Sequence, residues 1–194
     1  MNDLNKIKDL FIAGRTHNDW IEKDVPDSLL HELYNLMKWG PTSANCSPAR
    51  IKFIKSQEAK NRLVKYLIES NIEKTISAPV SAIIAYDTKF YEFIPKLFPH
   101  NPEAKEWFSG SEEFAEVTAF RNSSLQGAYF ILAARTLGLD CGPMSGFDNV
   151  GIDNEFFSES NFKSNFICNI GYGDHNKLFD RSPRFDFDEV CKIL

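Results

Sequence analysis

Apolar residues recur along the first part of the chain at three- and four-residue spacing, the period of helices with one face turned inward. Leu4, Ile7, Leu10 and Phe11 follow it, so residues 2–13 predict an amphipathic helix ended at Gly14. Pro26 opens a second helix with Leu29, Leu30, Leu33 and Met37 on its apolar face, and Gly40-Pro41 stops it. Residues 57–69 predict a third, with Leu63, Tyr66 and Leu67 inward. The longest runs from about Glu112 to Leu137. There Leu125, Ala128, Tyr129, Leu132, Ala133 and Thr136 mark the face expected to meet the core, and Gly138 ends the helix. Ile51–Ile54, Val80–Tyr86 and Phe166–Ile170 lack this period and predict strands, the second almost continuously apolar and so expected to be buried on both faces. Cys141 to Phe147, with its glycines and proline, predicts a tight loop.

Helices outweigh strands and the expected class is α+β. No repeat or boundary divides the chain, so residues 1–194 are expected to form one domain. Within it the pattern weakens over about 87–111, which carries Pro95, Pro99 and Pro102 among Phe90, Tyr91, Phe93, Phe98, Trp107 and Phe108. Such an excursion suits a lid or an interface arm.

Composition narrows the classes. A net charge of -5 opposes binding to a nucleic-acid backbone, which needs a basic face. No stretch approaches the roughly 20 apolar residues of a membrane span. The start of the chain lacks the apolar core of a signal peptide, so a cytoplasmic location is expected. Cys46, Cys141, Cys168 and Cys191 are far apart and predict free, mostly buried thiols. His17, His31, His100 and His175 are scattered, and their spacing predicts no metal site.

Three polar or glycine-rich loops are the candidates for chemistry. Arg15-Thr16-His17-Asn18 offers a guanidinium, a hydroxyl, an imidazole and an amide, which suits a phosphate with its polyol; a solvated turn has the same composition. Pro41 to Pro48 is stiff and polar, fit to read a heterocycle edge or simply to stop a helix. Gly142 to Gly146 would let a ligand approach the backbone, or be a plain turn. Arg181 and Arg184 add charge near the end of the chain. With no acid–base pair in view, a bound redox cofactor would have to carry any hard chemistry.

The strings Arg15-Thr16-His17-Asn18, Pro41-Thr42-Ser43-Ala44-Asn45, Gly138 to Phe147 and Arg181-Ser182-Pro183-Arg184 resemble the nitroreductase-like flavoproteins over nearly the whole chain. Residues 41–50, 120–126 and 142–148 are similar, more narrowly, to the malonic semialdehyde reductase branch of a bacterial pyrimidine-degradation pathway. The resemblance implies a nitroreductase-like fold with an antiparallel-rich sheet wrapped by helices, and a homodimer that exchanges its C-terminal tails. It also implies FMN between the subunits, with NADH or NADPH as reductant. By the same resemblance Arg15 and Arg184, aided by Arg181, hold the phosphate. Thr16, His17 and Asn18 lie along the phosphate or ribityl chain. Ser43 and Asn45 meet the ribityl chain and ring edge. Pro143, Met144, Ser145 and Gly146 lie beside the ring, with a backbone N–H of Ser145 or Gly146 near flavin N5. The expected reaction is reduction of 3-oxopropanoate to 3-hydroxypropanoate, with Arg121 or Asn122 facing the substrate. A general nitroaromatic or quinone reductase, and a flavin-binding protein without turnover, are the alternatives. Asp19 stands where the family usually carries a second basic residue.

Overall fold

The computed structural model describes residues 3–194; Asn2 of the first predicted helix and the side chain of Leu4 lie outside the described residues. In chain order the elements are α1 (Asp3–Ile12), α2 (Asp27–Met37), β1 (Ala49–Ile54), α3 (Gln57–Leu63), α4 (Glu69–Ser77), β2 (Val80–Asp87), α5 (Ile94–Leu97), α6 (Glu106–Ser109), α7 (Glu112–Thr136), β3 (Asp140–Met144), α8 (Asn149–Phe156), β4 (Phe162–Gly171) and α9 (Phe187–Val190). The strands form one sheet in the order β1-β2-β4-β3, and every neighbouring pair is antiparallel.

The side chains of β2 alternate between two cores, which is why the strand reads as apolar. Ala82 and Ile84 pack with Leu30, Leu33, Met37 and Phe130 from α2 and α7. Ile83 and Ala85 pack on the other face with Leu63, Ile152 and Phe156 from α3 and α8. Every residue of β2 is buried. The class is α+β, with helices on both faces of an antiparallel sheet.

The structure differs from the sequence reading in four places. The helix expected over 57–69 ends at Leu63; a single 3-10 turn follows and α4 begins at Glu69. The stretch 87–111 is a set of short helical turns whose Phe90, Ile94, Ala104 and Phe108 form a third core with Ala115 and Ala119 of α7. The expected tight loop at Cys141–Phe147 is mostly strand, because Asp140 to Met144 finds a complete partner in β4. Tertiary pairing overrides the turn propensity of Gly142-Pro143.

The fourth difference matters most for the site. On α7 the buried positions are Ala115, Thr118, Ala119, Asn122, Ser123, Gln126, Gly127, Phe130, Ala133 and Ala134. The expected face is partly outward: Leu125, Ala128 and Thr136 are exposed, and Phe114, Val117 and Phe120 join them. Small and polar residues therefore carry α7 onto the sheet. A Cβ on Gly127 would stand 2.4 Å from the Phe166 ring of β4, so the glycine sets how closely helix and sheet approach. Gln126 Oε1 accepts the Ala49 N–H at 2.8 Å, and Asn122 Oδ1 accepts the Ser43 N–H at 2.9 Å.

Two outcomes follow from this contact. Gly127→Val should cost about 1–3 kcal/mol by overpacking against Phe166, read as a lower urea midpoint at unchanged slope. Asn122→Ala should cost about 1–3 kcal/mol by removing the acceptor of Ser43 and leaving a hole beside Thr118, and the same titration measures it.

Candidate functional site

Guanidinium groups gather on one cavity. Arg15, Arg135, Arg181 and Arg184 line a space of about 670 Å³ together with Thr16, Asn18, Phe179 and Ser182. Arg15 sits in the turn after α1 and donates to the Phe179 carbonyl; Arg181 donates to the carbonyl of Ile12. Arg184 donates to Ser182 O at 3.1 Å and Pro183 O at 2.9 Å. The end of the chain is thereby tied back to its first turns; Asp180 lines the same cavity, leaving a surplus of positive charge there. Clustered guanidiniums of this kind suit a phosphate-bearing ligand. Arg135 was missed in the sequence, where it is an ordinary basic residue in the last turn of a helix.

Two lysines stand beside Asn18 and Asp19. Lys177 Nζ bonds Asp19 Oδ1 at 3.0 Å, and Lys74 Nζ of α4 approaches Asn18 Oδ1 at 3.5 Å. Both lysines line a neighbouring cavity of about 430 Å³ that shares Asn18 with the arginine cavity. Asp19 and Glu73 line the same cavity, so the two lysines balance its carboxylates and add no net positive charge.

The loop Pro41–Pro48 is strained. Ala44, Asn45 and Ser47 have φ of 48°, 50° and 39°, a left-handed run in residues with side chains. Such conformations persist only when the surroundings hold them, and they cluster at functional sites. Here the restraints are plain. Thr42 accepts the Asn45 N–H through its carbonyl and the Ser47 N–H through its hydroxyl, at 3.0 and 3.1 Å. Asn122 and Gln126 hold the loop's two ends, and Asn45 Nδ2 donates to Leu97 O at 2.7 Å. Ser43 and Asn45 are left exposed on the surface. Burial raises the Cys46 thiol to about 11, so it serves as core packing beneath the loop.

Pro143 and Ser145 are exposed at the far end of β3, while the Met144 side chain packs toward Thr75 and the second core. Gly146 gives its carbonyl to Ile68 N–H at 3.1 Å and Asn71 Nδ2 at 2.9 Å. Gly142 has a different task from the one its sequence suggests: a Cβ there would lie 2.4 Å from the His17 carbonyl, so the close approach is to the chain itself. Neither this segment nor the Ser43–Asn45 turn lines the arginine cavity.

Arg121 is exposed on α7. Glu116, a conceivable partner for it, is taken by Lys163 at 2.7 Å and Tyr86 Oη at 3.1 Å, and the Lys163 bond holds its carboxyl below the usual range. Asn122 is buried with both side-chain groups used, its Nδ2 donating to Thr118 O at 2.9 Å, so it builds the loop and is not free to meet a substrate. His17 likewise turns under its loop, 2% exposed, and does not line the arginine cavity.

Comparison with known proteins identifies the family. Residues 21–172 match the Nitroreductase family. The chain is 54% identical to a candidate NADH dehydrogenase/NAD(P)H nitroreductase, HadB, of Ralstonia pickettii, and 55% identical to a similarly named protein, Reut_A1586, of Cupriavidus pinatubonensis; each comparison covers 95% of both chains. Among solved structures, a candidate nitroreductase of Bacillus subtilis superposes with a TM-score of 0.88 at 18% identity, covering 98% of this chain and 100% of the other. A candidate nitroreductase of Exiguobacterium sibiricum, solved in complex with FMN, gives 0.85 at 14% identity and covers 97% of each chain. By the span of the family match and the identity to these relatives, the chain belongs to the nitroreductase family.

Proposed function

We propose that the protein is an FMN-dependent NAD(P)H oxidoreductase that reduces a small aldehyde, 3-oxopropanoate, to 3-hydroxypropanoate. The observation that carries the cofactor is the convergence of Arg15, Arg135, Arg181 and Arg184 on one cavity in a chain of net charge -5. Arg15 and Arg184 would hold the FMN phosphate, Arg181 and Arg135 would share its charge, and Thr16 and Asn18 would lie toward the polyol. Pro143 to Gly146 flank the ring. Bound there, FMN would supply two-electron redox chemistry between NAD(P)H and the acceptor. The chain's own part is to position both ligands and to aim fixed backbone dipoles at charge developing on the ring.

A second copy completes the site. The surface area of the single chain is 11,909 Å², against about 9,400 Å² for a compact monomer of this mass. Half-exposed Phe114, Val117, Phe120 and Leu125 on α7 form an apolar stripe of the kind that interfaces cover. The β1 edge of the sheet opens onto a groove of about 750 Å³ lined by α2. The tail beyond Phe179 exposes Phe185, Phe187, Val190, Ile193 and Leu194. Exchange of tails between two copies places these apolar residues in that groove and brings the exposed Ser43–Asn45 turn of one copy to the cavity of the other.

The acceptor rests on the resemblance of residues 41–50, 120–126 and 142–148, with exposed Arg121 as the cation for the substrate carboxylate. The names of the Ralstonia and Cupriavidus relatives support a second reading, a nitroaromatic or quinone reductase on the same site.

Anaerobic absorbance spectra of the purified protein separate these readings. A flavin spectrum that bleaches with NADPH or NADH and recovers with 3-oxopropanoate is the expected result. Recovery with a nitroaromatic or a quinone but not with the aldehyde assigns the second reading, and a bound flavin that never bleaches leaves a binding protein. Arg15→Ala should weaken FMN binding about 10- to 100-fold through loss of a charge-assisted contact worth roughly 1.5–3 kcal/mol, measured by fluorescence quenching of free FMN. An unchanged affinity would place the phosphate elsewhere.

A further inference from the structure

His17 presents a problem the flavin reading does not solve. Its imidazole is buried to 2% exposure, and among the described residues neither Nδ1 nor Nε2 has a hydrogen-bond partner. Buried ring nitrogens left unpaired are uncommon and call for an explanation. Nδ1 is pressed against Gly173, where a Cβ would stand 1.9 Å away. Nε2 faces Asp140 Oδ1 at 3.4 Å, without the alignment of a hydrogen bond.

The fold adds a third group. Asp140 opens β3, and His175 lies in the 3-10 turn after β4 (His175–Lys177). His175 Nε2 is 3.8 Å from Asp140 Oδ2, and the two imidazole rings meet edge to face with centroids 4.9 Å apart. One ligand atom from each of His17, Asp140 and His175 lies within 4.8 Å of the others. These residues are far apart in sequence, so no spacing signature announces them.

We propose that His17, Asp140 and His175 form a binding site for a divalent transition cation of the zinc class. Two ligands about 2.1 Å from a tetrahedral centre stand roughly 3.4 Å apart, the separation found between His17 Nε2 and Asp140 Oδ1. The exposed His175 side chain has the freedom to close the slightly longer gap on its side. Gly173 N–H donates to Asp140 Oδ2 at 2.9 Å and fixes the carboxylate, the kind of support that ligating carboxylates receive. Two imidazoles and one carboxylate favour zinc, cobalt or nickel over calcium or magnesium. The solvent side at His175 admits water to complete the coordination.

The cation would staple three segments at the root of the arginine cavity. His17 N–H already donates to Cys141 O at 3.0 Å, and Thr16 bridges Cys141, so the loop bearing Arg15 and Asn18 is laid along β3. A metal bond from His17 to Asp140 and His175 ties that loop also to the turn bearing Lys177. The ligands come from one chain, and the proposal stands whatever flavin chemistry the neighbouring cavity supports.

Isothermal titration of the chelator-treated full-length protein with Zn²⁺, and with Co²⁺ followed by its visible absorption, tests this without reference to activity. The expected result is one site per chain, weakened at least tenfold in both His175→Gln and Asp140→Asn and unchanged in His31→Gln, whose histidine is exposed on α2. Thermal melting adds a second readout: Zn²⁺ should raise the Tm of the parent protein and leave that of His175→Gln unmoved. His175 is exposed, so its variant is expected to fold. Absence of Zn²⁺ and Co²⁺ binding, or binding that falls less than tenfold in His175→Gln, overturns the proposal.

Discussion

The approach of α7 to the sheet governs the rest of the structure. A helix of 25 residues crosses the sheet and contributes to two of the three cores. It reaches the sheet through Gly127, whose missing side chain lets the Phe166 ring sit against the helix backbone. That closeness puts Gln126 and Asn122 within hydrogen-bonding distance of the loop between α2 and β1. Polar side chains are costly to bury unless paired, and here Asn122 is spent on the Ser43 N–H of that loop and Gln126 on the Ala49 N–H where the loop enters β1. The left-handed run at Ala44, Asn45 and Ser47, costing of order 1–3 kcal/mol per residue, is held against these anchors. Packing and site geometry are therefore one interaction: a looser helix would release the loop.

The sequence was legible where one face of an element alone decided its place. On α2, Leu30, Leu33 and Met37 are buried as their spacing predicts, and β2 is buried throughout as its apolar run predicts. On α7 only part of the face its period marks turns inward: Ala133 is buried and Tyr129 packs against the first core, while Leu125, Ala128 and Thr136 are exposed. Its apolar stripe is largely exposed and its inner face is small and polar, a reversal that hydrophobicity alone cannot detect. Segment β3 was illegible for another reason. Asp-Cys-Gly-Pro-Met carries turn residues, and only its pairing with β4, remote in sequence, makes it a strand.

The same division applies to the site. Arg15, Thr16, Asn18, Arg181 and Arg184 were visible as polar clusters, and the fold brings them to one cavity. Arg135, Lys74 and Lys177 were not, because each is unremarkable in its own segment and gains meaning only through what the fold sets beside it. His17 was visible as a polar residue in a polar loop, yet the alternation of the extended segment beside Cys141 turns it inward. Local composition reports which groups a loop owns. It does not report which of them face the ligand.

The charge distribution carries the argument one step further. A chain of net charge -5 that confines four guanidiniums to one cavity makes that cavity a local well for anions in an otherwise repelling field. The repulsion acts among these like charges before any ligand arrives, so the bare cavity is held together at an energetic cost. Their bonds to the carbonyls of Phe179, Ile12, Ser182 and Pro183 offset part of it. Those carbonyls belong to the chain's first turns and its terminal segment, so a phosphate in the cavity stabilises more than itself. It would relieve the repulsion and fix the point at which the terminal segment leaves the cavity. On this reading cofactor binding and assembly are linked through the arginines, and each should strengthen the other.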